Sequence, residues 1–264
     1  MKILFFGDII GKLGRKAFVK ILPELKQEYQ PDLVIANVEN LAHGAGVTAK
    51  TLSEIVEAGA DFYTSGNHIF SKPEAESLLN DPASNLIRPA NYFADKPGKG
   101  FKVIEVGSRS LLVINLIGQV FMKDEVDSPF EKIDEILSEV DHKNLAGIIV
   151  DFHAEATSEK NAFGHYVDGR VSAVLGTHTH IPTADQKILS KGTAYVTDIG
   201  MVGEYDSVIG DKKEPIIASF LAGEKPKIEV AESGEAIVSA ILLEIDPDTK
   251  KATGISRVDR KIKV

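Results

Sequence analysis

The sequence predicts an α/β protein, because apolar strand-like runs alternate with helical periodicities over its first two thirds and short β runs fill the last third. Several of those runs end in carboxylate, amide or imidazole side chains, and AVLGTHTHIP at 173–182 ends in two histidines one residue apart. With 264 residues, 43% of them hydrophobic and 26% charged, the chain can bury a core as one domain over 1–264.

The elements follow in order. KILFFGD at 2–8 is a continuous apolar run suited to a strand buried on both faces. Asp8 interrupts the apolar start, and no small-residue cleavage pattern follows, so a strand is expected there rather than a signal peptide. From Lys12 to Gln30, Phe18, Ile21, Leu22, Leu25 and Tyr29 recur at helical spacing, with Pro23 predicting a kink or break. PDLVIANVEN (31–40) is the second strand, and TAKTLSEIVEAG (48–59) is a helix with Thr48 or Thr51 as cap and Gly59 as stop. ADFYTSGNH (60–68) is the third strand and SKPEAESLLN (71–80) a short helix.

GSRS joins two strand-like runs within 100–119 as a hairpin, and PFEKIDEILSEV (129–140) is a helix. LAGIIVDFHAE (145–155), VSAVLGTHTH (171–180) and TAYVTDIG (193–200) read as strands. From Ile216 onward β runs such as AIVSAILLEI dominate, without a clear helix. No internal repeat, low-complexity tract or linker interrupts the chain.

Composition excludes several chemistries. Without cysteine there is no disulfide, thiolate metal site or thiol nucleophile. A net charge of −9 without a dense Lys/Arg cluster disfavours long nucleic acids as partners. No apolar run reaches the length of a membrane span, so no membrane partner is expected and a cytoplasmic setting is. GDIIGKLG is no P-loop, having three residues between its glycines and Leu13 after the lysine, and G-x-G-x-x-G is absent.

The positions of the metal-capable side chains carry the functional reading. Asp8 closes the first strand, Glu39 and Asn40 the second, Asn67 and His68 the third, His153 the strand GIIVDFH, and His178 with His180 the strand quoted above. Ligands of open α/β sheets bind outside the carboxyl ends of the strands. Taken singly, Asp8, Glu39, Asn40 and Asn67 suit turns and His153 a structural hydrogen bond, whereas H-x-H at a strand end already favours a metal. Together, five strand ends aim oxygen and imidazole donors at one edge. In an extended strand His178 and His180 would share a face, with side chains roughly 6–7 Å apart.

Leaving His68 aside, the other seven donors exceed what one catalytic ion needs, since such a site keeps an open position. Two divalent ions sharing a bridging carboxylate would use them all, at the ~3.5–4 Å separation common among enzymes that split phosphate esters. Two such ions, two carboxylates and a bridging hydroxide leave a positive remainder, which suits an anionic phosphoryl group.

These residues carry a resemblance. GD at 7–8, GNH at 66–68, His153 and GTHTH at 176–180 resemble the calcineurin-like metallophosphoesterases. Two departures, Ile10 in place of a histidine and NVEN in place of a Gly-Asp motif, resemble the YmdB-type branch of bacterial cyclic-nucleotide phosphodiesterases. VENLAHGAGVT, SGNHIF, RPANY, DFHAEATSEK, DGRVSAVLGTHTH, TAD and TDIGMVGEYDSVIG resemble that branch in order along nearly the whole chain. Phe70, Ser71 and His165 stand where the branch has Trp, Asp and Trp.

The resemblance implies a four-layer α/β/β/α sandwich that hydrolyses 2′,3′-cyclic and also 3′,5′-cyclic nucleotides. It implies that Asp8, Glu39, Asn40 and His180 hold one ion while Glu39, Asn67, His153 and His178 hold the other, with His68 as proton donor. Iron or manganese and a homo-oligomer are implied as well. Replacing an imidazole by the amide of Asn40 hardens the donor set, which favours those ions over zinc. The partner expected is a small cyclic nucleotide or phosphodiester. The alternatives are a phosphatase or nuclease acting on another phosphate ester, or a metal-retaining regulatory binding protein. An exposed loop is expected for His43, helix-dipole complementation for His142, loop roles for Asp198 and Asp206, and none for His165.

Overall fold

The computed structural model describes residues 1–264. Strands Lys2–Ile9 (β1), Leu33–Asn37 (β2) and Phe62–Thr64 (β3) alternate with helices Gly11–Tyr29 (α1), Ala49–Ala58 (α2) and Glu74–Asn80 (α3). A hairpin, Phe101–Val106 (β4) and Arg109–Ile117 (β5), leads to helix Pro129–Glu139 (α4), strand Leu145–His153 (β6) and helix Thr157–Tyr166 (α5). Strands Ala173–Thr177 (β7), Lys187–Ile188 (β8), Ala194–Val196 (β9) and Met201–Glu204 (β10) precede helix Lys213–Leu221 (α6). Glu235–Val238 (β11), Ala240–Ile245 (β12), Ala252–Arg257 (β13) and Arg260–Lys263 (β14) complete the chain.

The strands form two sheets. One runs β13-β12-β1-β10-β11-β14, with β2 and then β3 on the other side of β1, and the second runs β4-β5-β6-β7-β9-β8. Alternation along the strands sorts side chains into three apolar layers. In β1, Ile3 and Phe5 enter the core between the sheets, while Leu4 and Phe6 face α1 and α2. In β5, Leu111 and Val113 face the other sheet, whereas Leu112 and Ile114 pack with Ile133, Ile136 and Phe163 of α4 and α5. Three cores between two sheets and two helical layers make the four-layer α/β/β/α sandwich. Each fully buried Leu or Phe in these layers contributes ~1.5–3 kcal/mol.

Local signals explain the element ends. Thr48 caps α2, accepting from the Thr51 amide at 3.2 Å while the Thr51 hydroxyl oxygen accepts from the Thr48 amide, and Gly59 ends the helix in the left-handed region. His142 donates from Nε2 to the Leu137 carbonyl at 2.7 Å, satisfying a last-turn acceptor of α4. No helix is long and apolar enough to cross a membrane.

Three expectations fail. Of the kink or break expected at Pro23, the break is absent, since α1 runs through it. The carbonyl that Pro23 leaves without its helical partner belongs to Val19, an exposed residue, so the lost bond falls on the solvent side of the helix. α5 and α6 have no counterpart in the sequence reading. α5 buries only Glu159, Lys160, Phe163 and Gly164, too little apolar stripe to register, and α6 exposes Ile217, Phe220 and Leu221. Finally, β7 stops at Thr177, and His178 and His180 lie beyond it with φ of 96° and 65°. The pair is therefore not an extended H-x-H on one strand face.

Candidate metal centre

The parallel strands β1, β2, β6 and β7 end at one edge of the stacked sheets, and the predicted donors meet there. Cross-sheet hydrogen bonds tie the two edges together: the His178 amide donates to Asp8 Oδ2 at 3.2 Å, and Asn37 Nδ2 to Asp151 Oδ2 at 3.0 Å. A register shift at Gly7, between Phe6 and Asp8, marks a β-bulge that sets the direction of the Asp8 side chain. Glu39 and Asn40 stand in the turn after β2, Asn67 and His68 in the loop after β3, and His153 is the last residue of β6. Asp8, Glu39, Asn40 and His153 are buried, whereas Asn67, His68, His178 and His180 are half-exposed.

Two groups of donors flank Glu39. On one side, His153 Nε2 lies 3.1 Å from Glu39 Oε1, 3.1 Å from Asn67 Oδ1 and 3.1 Å from His178 Nδ1. On the other, Asn40 Nδ2 lies 3.2 Å from both Glu39 Oε1 and His180 Nε2, and His180 Nε2 lies 3.9 Å from Asp8 Oδ1. Ligand atoms of Glu39, His153 and His178 all fall within 4.8 Å of one another. Gly66 makes the approach possible, since a methyl there would overlap Glu39 Oε2 and His153 Nε2.

Each imidazole is oriented from behind. His153 Nδ1 donates to Thr177 Oγ1 at 2.8 Å, whose own hydroxyl donates to Asp151 Oδ1 at 2.7 Å. His178 Nε2 pairs with Glu155 at 3.1 Å, and His180 Nδ1 donates to the Ile209 carbonyl at 2.8 Å. So His153 Nε2, His178 Nδ1 and His180 Nε2 all turn inward, the arrangement that metal-ligating imidazoles adopt. Because the two H-x-H rings present different nitrogens, left-handed backbone rather than strand alternation makes them converge.

This donor set fits cations. His153 Nε2 faces three acceptors with at most one proton, and Asp8 Oδ1 is buried without any hydrogen-bond partner. Asn40 is the exception among the predicted ligands: its Oδ1 pairs with His68 Nδ1 at 2.9 Å, so a ligand role requires its amide to turn over. Sequence reading missed the supports Asn37, Asp151, Glu155, Lys160 and Thr177; Asn37 stands two residues before Glu39, Asp151 and Glu155 two residues either side of His153, and Thr177 next to His178, whereas nothing local marks Lys160. His43 is exposed in its loop, and exposed Asp206 pairs with Lys213, as expected.

Titration follows the same geometry. Burial pushes Asp8 up to about 6, against the pull of His180 and His153. Burial opposes the charge on His153, but the Glu39 carboxylate beside it prevails and raises it to about 9. Burial would raise Glu39, yet His153 holds its carboxyl well below the usual range. Burial and adjacent His153 push His178 down to about 3. At neutral pH a proton therefore sits on His153 where a cation would sit. Manganese binding at pH 7 is expected to release about one proton, with affinity rising toward pH 9 and failing below pH 6. Calorimetric titration in buffers of different ionisation enthalpy checks this, and binding without proton release would contradict it.

The model of a family described as YmdB-like protein matches residues 4–258. The chain is 46% identical to a 2′,3′-cyclic-nucleotide 2′-phosphodiesterase of Bacillus subtilis over 258 residues, 98% of this chain and 96% of that one. It superimposes on the crystal structure of a hypothetical protein from Thermus thermophilus with a TM-score of 0.91 at 42% identity, covering 99% of this chain and 100% of that one. A novel phosphatase from Mycoplasma pneumoniae gives a TM-score of 0.92 at 38% identity, over 100% of this chain and 94% of that one.

Proposed function

The chain belongs to the YmdB-like family, with the calcineurin-like metallophosphoesterase fold, and from that premise we propose that it is a dinuclear 2′,3′-cyclic-nucleotide 2′-phosphodiesterase. The observation that carries this reading is the convergence of Glu39 Oε1, Asn67 Oδ1 and His178 Nδ1 on His153 Nε2, each at 3.1 Å, near the buried and unpartnered Asp8 Oδ1, an arrangement that cations satisfy better than a single proton does. The named activity of the Bacillus subtilis relative supports the choice of substrate. Asp8, Glu39, Asn40 and His180 would hold one ion, and Glu39, Asn67, His153 and His178 the other. Iron or manganese suits a set of four oxygen-bearing and three imidazole ligands. Two divalent cations in such a cage supply charge stabilisation for a phosphoryl group and a water of lowered pKa.

The protein's own groups do the rest. Glu39 touches both donor groups and anchors the catalytic loop by accepting the His68 amide on Oε2 at 3.1 Å. Asn40 lies 2.9 Å from His68 Nδ1; with its amide turned over to offer Oδ1 to the ion, its Nδ2 would donate to Nδ1 and keep the proton of the neutral, partly exposed ring on Nε2, where it meets the substrate. His68 then gives its Nε2 proton to the ribose oxygen leaving phosphorus. Glu155 and the Ile209 carbonyl keep the His178 and His180 rings from rotating. A small phosphodiester, rather than a long nucleic acid, is the partner, and 3′,5′-cyclic nucleotides are second substrates. One domain over 1–264, a homo-oligomer and a cytoplasmic setting complete the reading.

The test is a panel of 2′,3′-cyclic, 3′,5′-cyclic and linear phosphodiesters and phosphomonoesters, assayed with manganese and with iron. The 2′,3′-cyclic nucleotides are expected to turn over fastest. Hydrolysis of monoesters alone would establish a phosphatase instead, and no turnover on any compound would favour a binding protein. Metal analysis of protein purified without added metal tests the ion, with stoichiometric zinc alone counting against the assignment.

A further inference from the structure

The backbone at His178 and His180 is left-handed, with φ of 96° and 65°, a region that side chains with a Cβ occupy only when their surroundings enforce it. The enforcing contacts lie under the turn. Lys160, on α5, and Asp198, after β9, form an ion pair at 2.8 Å, with relative exposures of 1% and 0%. Lys160 Nζ also donates to the Thr177 carbonyl at 2.7 Å. Asp198 Oδ2 accepts both the Thr179 amide, at 3.0 Å, and the Thr179 hydroxyl, at 2.8 Å. Asp198 Oδ1 takes the Gly200 amide at 2.8 Å. The pair therefore grips the chain on both sides of His178, at the carbonyl before it and the amide after it.

Burying two charges costs free energy that their attraction need not recover, so stability alone is a poor reason for the pair. Specific placement of a strained turn is a better one. We propose that Lys160 and Asp198 are positioning residues of the metal centre, clamping the 177–179 backbone so that His178 presents Nδ1 and His180 presents Nε2 to the cations. This rests on the ligand roles proposed above for the two histidines. Their side chains bond to each other, to the backbone at 177, 179 and 200 and to the Thr179 hydroxyl, and to none of the proposed ligand side chains.

The experiment replaces both charges together, by Lys160→Met with Asp198→Leu, so that neither is left buried without its partner. Apolar replacement of a buried pair commonly preserves the fold. The folded double variant is expected to bind Mn²⁺ about 10–100-fold more weakly by calorimetry, as removal of outer-shell supports does elsewhere. Its turnover is expected to recover as Mn²⁺ is raised, whereas a defect in the chemistry itself would persist at saturation. Thr179→Val removes only one hydroxyl donor and is expected to weaken Mn²⁺ binding about tenfold; it decides the matter if the double variant does not fold. Parental Mn²⁺ affinity in the folded double variant, or in Thr179→Val if that is the one that folds, would overturn the positioning role alone. Failure of the parent chain to bind Mn²⁺ would overturn the metal-centre reading beneath it.

Discussion

His68→Ala is expected to leave both cations bound and to slow hydrolysis of a 2′,3′-cyclic nucleotide by roughly 10²–10⁴-fold. The residue is held at Nδ1 by the Asn40 amide and at its backbone amide by Glu39, so Nε2 is the ring nitrogen without a partner in the protein. On the proposed ligand assignment it would touch the metal cage only through Glu39 and Asn40. Loss of the proton donor should matter least for a substrate whose leaving group needs no proton. A nitrophenyl phosphodiester is therefore expected to show a much smaller deficit than the cyclic nucleotide. Metal content measured beside both rates separates the roles. Equal losses on the two substrates, or loss of metal, would remove His68 from the acid's position.

Asp8→Asn is expected to make the cation-free protein more stable at neutral pH while abolishing normal metal loading and turnover. Burial raises the folded carboxyl from 3.8 to about 6, so the folded state binds a proton that the unfolded chain has already released. The sign follows: below pH 3.8 the group is neutral in both states and costs nothing, and as pH rises through 6 its buried charge opposes folding. A shift of about two units corresponds to about 3 kcal/mol. In chelator at pH 7.5 the amide variant should melt roughly 5–10 °C above the parent. At pH 3.5 that advantage should vanish. Added Mn²⁺ should raise the parent's melting temperature and leave the variant's nearly unchanged. A variant less stable than the parent in chelator at pH 7.5 would show that Asp8 is balanced without any cation.

Much of this was readable in the linear order of residues. Apolar runs ending in Asp8, Glu39, His153 and His178 predicted strands delivering donors to one edge, because strand periodicity and strand ends are local properties. The Thr48 cap, the Gly59 stop and the GSRS hairpin followed from equally local chemistry. Helices α5 and α6 escaped because their faces lack a clear apolar stripe, and Pro23 misled because its lost hydrogen bond falls on the solvent side.

By itself the sequence determined which side chains are available and near which strand ends they stand; the tertiary structure decided how they meet. The left-handed turn at His178 and His180, the pairing of Asn40 with His68, and the Lys160–Asp198 clamp depend on contacts between segments far apart in the chain. The Asp8–His178 bond spans 170 residues and the Asn37–Asp151 bond 114. Such contacts form only when one sheet packs on the other, and the buried apolar layer that aligns them fixes ring direction and burial, which no local pattern encodes.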